Sequence, residues 1–164
     1  MQTPDGKIDC FPATFSAAID RCSLLFDETA AATGGLRLIH RRDAWMHNSW
    51  FSNVARMKRG GRTDNPLSMH PADAAALGLA DGAPVVVSNA FGVIESVVEH
   101  DADLLPGVVS MVHGWGHAVS PRLRVAHAAP GSNPNVLLPV GDGSFEPLSS
   151  QSHMTGIPVT VAAR

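Results

Sequence analysis

The segment HGWGH at residues 113–117 places two imidazole rings four positions apart, on either side of a tryptophan. On a helix this spacing would bring both rings to one face, where they could bind zinc. Gly114 and Gly116, however, destabilise a helix by about 2 kcal/mol relative to alanine, and the sequence offers no obvious third ligand. Two further interpretations stay open: a bent loop with Trp115 packed on the core, or a loop whose glycines let the backbone approach a flat ligand.

Side chains suited to binding are concentrated in three long loops, at residues 40–50, 113–135 and 141–153. Loops of this length are uncommon in compact domains unless they have a function. The first contains Arg41–Arg42, which could bind phosphate bidentately, although adjacent arginines more often belong to a solvated loop. The second contains Asn133 and Asn135 around a proline, where a plain turn is at least as good an interpretation.

The composition indicates one globular domain and excludes several classes of partner. Of the 164 residues, 45% are hydrophobic and 16% charged, and the 15 glycines and 12 prolines favour a turn-rich β protein. A net charge of −3 argues against nucleic acid or an anionic membrane as a non-specific partner. Two cysteines are too few for a disulfide scaffold, no apolar run has membrane-spanning length, and no signal peptide follows Met1. We therefore expect a cytoplasmic protein, or a domain cut from a longer one.

Local patterns predict a small β-barrel with few helices. Apolar residues at helical spacing predict a short helix over residues 17–26, ended by Gly34–Gly35. A second helix is predicted at PADAAALG, with Pro71 at its first position and Gly78 as the residue that ends it. The predicted strands are residues 36–39, 84–88, 93–100, 106–112 and 156–163, and NAFG joins the second and third as a hairpin.

The sequence contains no recognisable catalytic grouping. Two Gly-Ser pairs, at residues 131–132 and 143–144, raise the alternative of a self-processing pyruvoyl enzyme, although such pairs are usually turns. A Ser-His-Asp arrangement, a P-loop and a Rossmann fingerprint are all missing from the sequence. We therefore assign no catalytic residue and no metal ligand.

The order of motifs along the chain resembles one known family. RRDAWMHNSW, LSMHPADAAALGLADGAPVVVSNAFGVIESVV, LLPGVVSMVHGWGH, SNPNVLL and LSSQSHMTGIPV follow one another as in one domain of the dimethyl sulfoxide reductase superfamily. That domain is the C-terminal molybdopterin-dinucleotide-binding domain. The match begins near Leu36, so we predict a lead-in segment with a short helix at residues 1–35 and the binding domain at residues 36–164.

The resemblance implies both a fold and a role. The fold would be mainly β with short helices, a six-stranded double-psi β-barrel of the aspartate-decarboxylase-like type. The role would be to cover a bis-molybdopterin guanine dinucleotide cofactor in a molybdenum or tungsten oxidoreductase. Other domains of that parent enzyme would hold the metal and any iron–sulfur cluster, and they would be the partners of this chain. The chain alone is then not expected to be active, and the substrate and the choice of metal stay open.

By position, the resemblance assigns cofactor contacts to three loops, with HGWGH as a cofactor-facing loop. The residues are Arg42, His47, Asn48, Ser49 and Trp50, then His113, Gly114, Trp115 and Gly116, then Asn133 and Asn135, and finally Gln151. The chain departs from the family pattern at Pro134, where a small apolar residue is usual. The family also commonly has an acidic residue soon after the Asn motif, whereas here the acidic residue comes only at Asp142. The alternative function is a stand-alone double-psi barrel adaptor that binds protein partners.

Overall fold

A computed structural model of the chain describes residues 3–31 and 34–164. It divides into two compact units, one formed by Met1–Gly34 with Asp142–Ser152 and the other by Gly35–Gly141 with His153–Arg164. The predicted division at residues 35 and 36 stays a prediction, since residues 142–152 group here with the N-terminal unit.

The described residues form short strands and three α-helices. The strands are β1 (Leu36–Arg41), β2 (Leu67–Met69), β3 (Pro84–Ser88), β4 (Val93–His100), β5 (Val108–Val112), β6 (Phe145–Glu146), β7 (Gln151–Ser152) and β8 (Ile157–Ala163). The helices are α1 (Ser16–Ala31), α2 (Pro71–Ala76) and α3 (Arg124–Ala128). None of the helices in the described part of the chain combines the length and the apolar character needed to span a bilayer.

Six strands of the second unit close into a barrel in the order β1-β5-β2-β4-β3-β8. Two neighbouring pairs, β1 with β5 and β2 with β4, run parallel. The remaining neighbours are antiparallel, and β8 closes the barrel by pairing with both β1 and β3. The structure confirms the mainly β, six-stranded barrel that the resemblance implied.

Alternation of apolar residues explains how the strands fill the barrel. In β8, Ile157, Val159 and Val161 are buried while the residues between them are exposed, as expected for a strand with one face toward the core. Strand β2 is different, because all three of its residues are buried, including Ser68. Such a strand has no alternating pattern, and β2 was not predicted.

Most predicted elements are present, with shifted ends. The first helix covers Ser16–Ala31 instead of residues 17–26, β1 extends to Arg41, and β5 starts at Val108 instead of residue 106. The prediction of structureless loops was partly wrong, because residues 113–135 contain α3 and residues 141–153 contain the hairpin β6–β7. These elements have two to five residues each, too few for a periodic pattern.

The hairpin β3–β4 has the predicted ends, and Asn89 stabilises its turn. The Asn89 Oδ1 accepts hydrogen bonds from the backbone N–H of Phe91 (2.9 Å) and Gly92 (3.2 Å). Its Nδ2 donates to the carbonyl oxygen of Leu137 at 2.8 Å. One side chain therefore fixes the turn and ties it to the segment after residue 133.

We expect Asn89→Ala to lower the free energy of unfolding by about 1–3 kcal/mol, because four backbone groups, including the Pro158 carbonyl at 3.4 Å, lose a hydrogen-bond partner. Urea denaturation of the wild type and the variant measures this difference. Phe91→Ala is the control, since its exposed side chain should contribute within about 0.5 kcal/mol. Equal losses in the two variants would show that the Asn89 amide does not hold the turn.

Candidate functional site

The parallel pairing of β1 and β5 decides where the candidate loops begin. The register runs from Arg37 opposite Val108 to Arg41 opposite Val112, so the carboxyl ends of the two strands lie side by side. The segment after β1, here called the first loop (residues 42–54), and the HGWGH loop (residues 113–117) therefore start at the same edge of the barrel. The sequence separates them by more than 50 residues, and the sheet brings them together.

The HGWGH loop is bent and not helical. Gly114 (φ +92°) and Gly116 (φ +100°) both lie in the left-handed region that favours glycine. The spacing of His113 and His117 therefore does not place their rings on one helix face. Within residues 3–31 and 34–164, no group of three or more His, Cys, Asp or Glu residues is arranged to hold a metal ion.

The two glycines make room for neighbouring protein chain. A Cβ atom at Gly114 would overlap the carbonyl group of Asn48 in the first loop. A Cβ atom at Gly116 would overlap Asn133 of the segment we call the Asn loop (residues 131–135). The space beside each glycine is thus filled by protein, and the HGWGH loop joins the first loop to the Asn loop.

Trp115, between these glycines, is a packing residue. Its side chain is 4% exposed and packs with Met46 and Ala129. The ammonium group of Lys58, which is 8% exposed, lies 3.6 Å from the centre of the indole ring and donates a hydrogen bond to the Ala129 carbonyl at 3.3 Å. Burial lowers the pKa of Lys58, and the nearby Asp43 carboxylate opposes that shift.

A hydrogen bond between two side chains joins the first loop to the HGWGH loop. His113 Nε2 donates to Asn48 Oδ1 at 2.9 Å. Burial lowers the pKa of His113, and the neighbouring His40 and Arg42 lower it further, while a hydrogen bond to the Arg41 backbone raises it. The site therefore favours the neutral imidazole, which can donate from Nε2.

Asn48 itself lies in the left-handed region with φ +60°, and His47 does so with φ +43°. These angles are uncommon for residues other than glycine, although asparagine and histidine adopt them more readily than most. The backbone thus turns sharply where the first loop meets Gly114.

The remaining candidates are distributed around this junction or outside it. Arg42, Ser49 and Asn135 are exposed, and Trp50 is 79% exposed with its ring edge-on to that of His47, centres 5.8 Å apart. Asn133 Oδ1 accepts a hydrogen bond from the Asn135 N–H at 3.1 Å and so caps the turn that follows. Gln151 lies on β7, in the other compact unit.

Two asparagines outside the recognised motifs also connect the segments that form the site. Asn65, 2% exposed, donates from Nδ2 to the carbonyls of Val112 (2.7 Å) and Ser132 (2.9 Å) and accepts from the Ser132 N–H (2.8 Å). Asn53 Oδ1 accepts from the N–H groups of Val125 (2.9 Å) and Ala126 (3.2 Å) at the start of α3. Sequence analysis missed both, because an Asn-Pro pair and an isolated asparagine both look like ordinary turn signals.

A cavity of about 650 Å³ lies beside Trp115 and is lined by charged side chains. The cationic residues are Arg41, Arg42, Lys58 and Arg62, and the acidic ones are Asp43, Glu99 and Asp101. Near the same strand ends, three buried nitrogen atoms have no hydrogen-bond partner in the described part of the chain: His40 Nε2, Arg41 Nε and His117 Nε2. Such atoms normally have a partner in the functional state of a protein.

Comparison with known proteins agrees with this geometry. The family model described as "Molydopterin dinucleotide binding domain" matches residues 36–154. The chain belongs to this family. The matched range contains the whole junction of the first loop, the HGWGH loop and the Asn loop, so the resemblance to a molybdopterin-dinucleotide-binding domain is confirmed.

Among solved structures, the fold is similar to that of acetylene hydratase from Pelobacter acetylenicus, with a TM-score of 0.72 and 19% sequence identity. The alignment covers 99% of this chain and 24% of that enzyme, so the chain spans about a quarter of its length. At this identity the likeness shows the fold alone. None of the curated proteins matches the chain significantly.

The contact between Gly114 and Asn48 can be tested by adding one methyl group. We expect Gly114→Ala to lower the free energy of unfolding by about 1–3 kcal/mol more than Gly107→Ala, because only the former overlaps the Asn48 carbonyl. Gly107 has a similar φ of +85° with open space around it, so it measures the backbone strain alone. Equal losses in urea denaturation would mean that the loops do not need this close approach.

The lowered pKa of His113 predicts how stability depends on pH. The unfolded chain binds a proton near the ordinary value of 6.5, and the folded chain binds it only at lower pH. The free energy of unfolding should therefore fall as the pH drops below about 6.5. His113→Gln should remove this contribution, so that the variant loses less stability than the wild type between pH 7.5 and pH 5. Identical pH profiles would contradict the shift.

Proposed function

We propose that the chain binds a bis-molybdopterin guanine dinucleotide cofactor as the C-terminal domain of a molybdenum or tungsten oxidoreductase. One observation carries the proposal: the HGWGH loop brings Asn48, His113 and Asn133 together at the barrel edge where β1 and β5 end. Sites for flat, polar ligands combine a rigid backbone with a few fixed donors and acceptors, and this junction has both.

The residues at the junction fit such a cofactor. The orphaned nitrogens of His40 and His117 lie on the strand end and the loop that form the junction, where ligand oxygen or nitrogen atoms would satisfy them. Arg42 has no ion pair within the described ranges, and the exposed Trp50 ring offers a flat apolar face. A cofactor with phosphate groups and a planar ring system uses both kinds of group.

Different residues would then have different tasks. Asn135, Arg42 and Ser49 are exposed and would contact the cofactor directly. His113 and Asn48 hold each other and would present the junction in one arrangement. Trp115 and the two glycines would act indirectly, because their packing keeps the loops together. The bound cofactor supplies the two-electron redox chemistry, and the chain contributes binding and orientation.

The parent enzyme is part of the proposal. The remaining domains of that enzyme would be the partners of this chain and would hold the metal and any iron–sulfur cluster. Its location would be cytoplasmic. The fraction of acetylene hydratase that this chain covers, 24%, leaves ample length for such domains in an enzyme of that size.

The decisive experiment is to recover from the host the native polypeptide that contains this sequence, with an antibody to the barrel. We would measure its size, its molybdenum and tungsten content, and the guanosine monophosphate released on acid hydrolysis. A large chain with metal and guanine nucleotide would support the proposal. A small chain with neither would contradict it and leave the adaptor as the better explanation, while a chain split in two would indicate a self-processing enzyme.

Asn135 allows a variant that separates binding from stability. Its side chain is exposed and makes no hydrogen bond with the described residues; its hydrogen bonds are made by the backbone, through the N–H to Asn133 Oδ1 and through the carbonyl, which accepts from the Leu138 N–H. We expect Asn135→Ala in the native polypeptide to lower cofactor occupancy by about tenfold, the loss of one or two hydrogen bonds to a charged ligand, with unchanged thermal stability. Gly107→Ala is the control, because it strains the backbone without altering the first loop, the HGWGH loop or the Asn loop. Full occupancy in Asn135→Ala would remove this residue from the binding surface.

A further inference from the structure

One face of helix α1 is apolar and is left open by the described part of the chain. Apolar residues at helical spacing normally mark a face that packs against a core. Here that face, which we call the α1 stripe, starts at the residue before the helix and consists of Phe15, Ala18, Ile19, Cys22, Leu25 and Phe26. All six are exposed except Ala18, which is half-buried, and Phe26 is 72% exposed. The stripe therefore has the pattern of a buried face without its cover.

The first part of the α1 stripe forms one wall of a groove of about 400 Å³. The rest of the lining comes from Glu146, Leu148 and Ser149. An ion pair of 2.8 Å between Arg21 and Glu146 ties the helix to this segment. A helix of 16 residues is only marginally stable without packing against other structure, so a partner in the groove would stabilise α1.

Acidic side chains lie on both sides of this apolar surface. The compact unit that contains α1 has seven acidic and two basic residues, a formal net charge of −5, against −3 for the whole chain. At about 100° per residue, Asp20 and Asp27 fall on one side of the α1 stripe and Glu28 on the other. All three are exposed, and none has an ion pair with a described residue. A complementary partner would therefore have cationic side chains at the edges of an apolar face.

We propose that the α1 stripe is the docking site of a cationic amphipathic helix from another domain of the parent polypeptide. The partner helix would place apolar side chains in the groove and along Leu25 and Phe26, with Lys or Arg residues beside the three carboxylates. Two helices pack in this way when each has an apolar stripe, and charges beside the stripes set their orientation. The inference rests on the proposed function, because it takes the parent oxidoreductase as the source of the helix.

The fold likeness and the charge favour this source over others. The alignment with acetylene hydratase covers 99% of this chain, so it extends over α1, but it covers only 24% of that enzyme. Most of a chain of that size is thus available to cover the helix. A second copy of this chain would bring an equally negative unit against the first, and an anionic membrane would repel the unit for the same reason.

The test compares the reactivity of Cys22, in the α1 stripe, with that of Cys10. Both thiols are exposed, and Cys10 does not line the groove. Labelling with N-ethylmaleimide followed by peptide mass spectrometry gives each rate in the 164-residue chain and in the purified native polypeptide. We expect the rate of Cys22 relative to Cys10 to be lower by about tenfold or more in the native polypeptide, because burial of several large apolar side chains keeps the site closed. The same ratio in both proteins would overturn the proposal.

Two matched pairs of variants test the apolar and the charged contacts separately. Leu25→Ala shortens a side chain of the stripe, whereas Leu24→Ala makes the same change outside it. Asp27→Lys reverses a charge beside the stripe, whereas Asp103→Lys does so in the barrel unit. In the native polypeptide, Leu25→Ala and Asp27→Lys should each raise the Cys22 rate about fivefold or more, and the controls should leave it unchanged. All four residues are exposed, so folding should persist, and equal rates within either pair would overturn the inference.

The outcomes also separate this inference from the proposed function. A native polypeptide with metal and guanine nucleotide but with an unprotected Cys22 would overturn the docking helix and leave the proposed function intact. Protection that is lost when other subunits are removed would identify a separate protein as the occupant, and protection that depends on protein concentration would identify a second copy. Either result would overturn the proposal. A native polypeptide no larger than this chain would contradict both proposals through its size, whatever the labelling shows.

Discussion

At two positions of the HGWGH loop, Gly114 and Gly116, there is no room for a side-chain carbon. The carbonyl group of Asn48 fills the space beside the first and Asn133 fills the space beside the second. The first loop and the Asn loop therefore lie as close to the HGWGH loop as backbone can approach. The hydrogen bond between Asn48 and His113 depends on this spacing, because it forms only when the first loop and the HGWGH loop are in contact.

Some residues of the junction are buried and pack, whereas others are exposed, and the sequence does not distinguish the two. Trp115 lies in the middle of a motif that suggests ligand binding. Its side chain is nevertheless buried and packs beneath the surface with Met46 and Ala129. Asn135, in a segment that could be a plain turn, presents its side chain to solvent. The short motifs thus contain buried packing residues and solvent-exposed polar residues side by side.

What could be predicted from the sequence was whatever depends on near neighbours. Helix α2 and the β3–β4 hairpin were predicted with nearly correct ends, because Pro71, Gly78 and the turn at Asn89 act within a few residues. Strand β2 was missed because three consecutive buried residues have no alternation to detect. The motif order predicted the family, which the family match confirms, and the site residues stay a prediction.

The assembly of the site could not be predicted, because it depends on residues that are distant in sequence. The pairing of β1 with β5 brings the loops together, and Asn65 fastens the Asn loop to the end of β5. The burial of Lys58 was not predicted for a similar reason. A lysine in a polar segment is expected to be solvated, and only the fold places Trp115 against it.

The parallel arrangement of β1 and β5 also affects how the chain reaches this structure. The β3–β4 hairpin joins neighbours in sequence, whereas β1 pairs with strands about 70 and 120 residues away. Contacts across such distances carry a large loop-closure entropy, so chains rich in them fold slowly. We therefore expect the edge that carries the loops to form late, after the hairpin, and the junction of the three loops to exist only once the barrel has closed. Until then Trp115 and the apolar strands are open to other chains, which makes the interval before closure the period of greatest risk of aggregation.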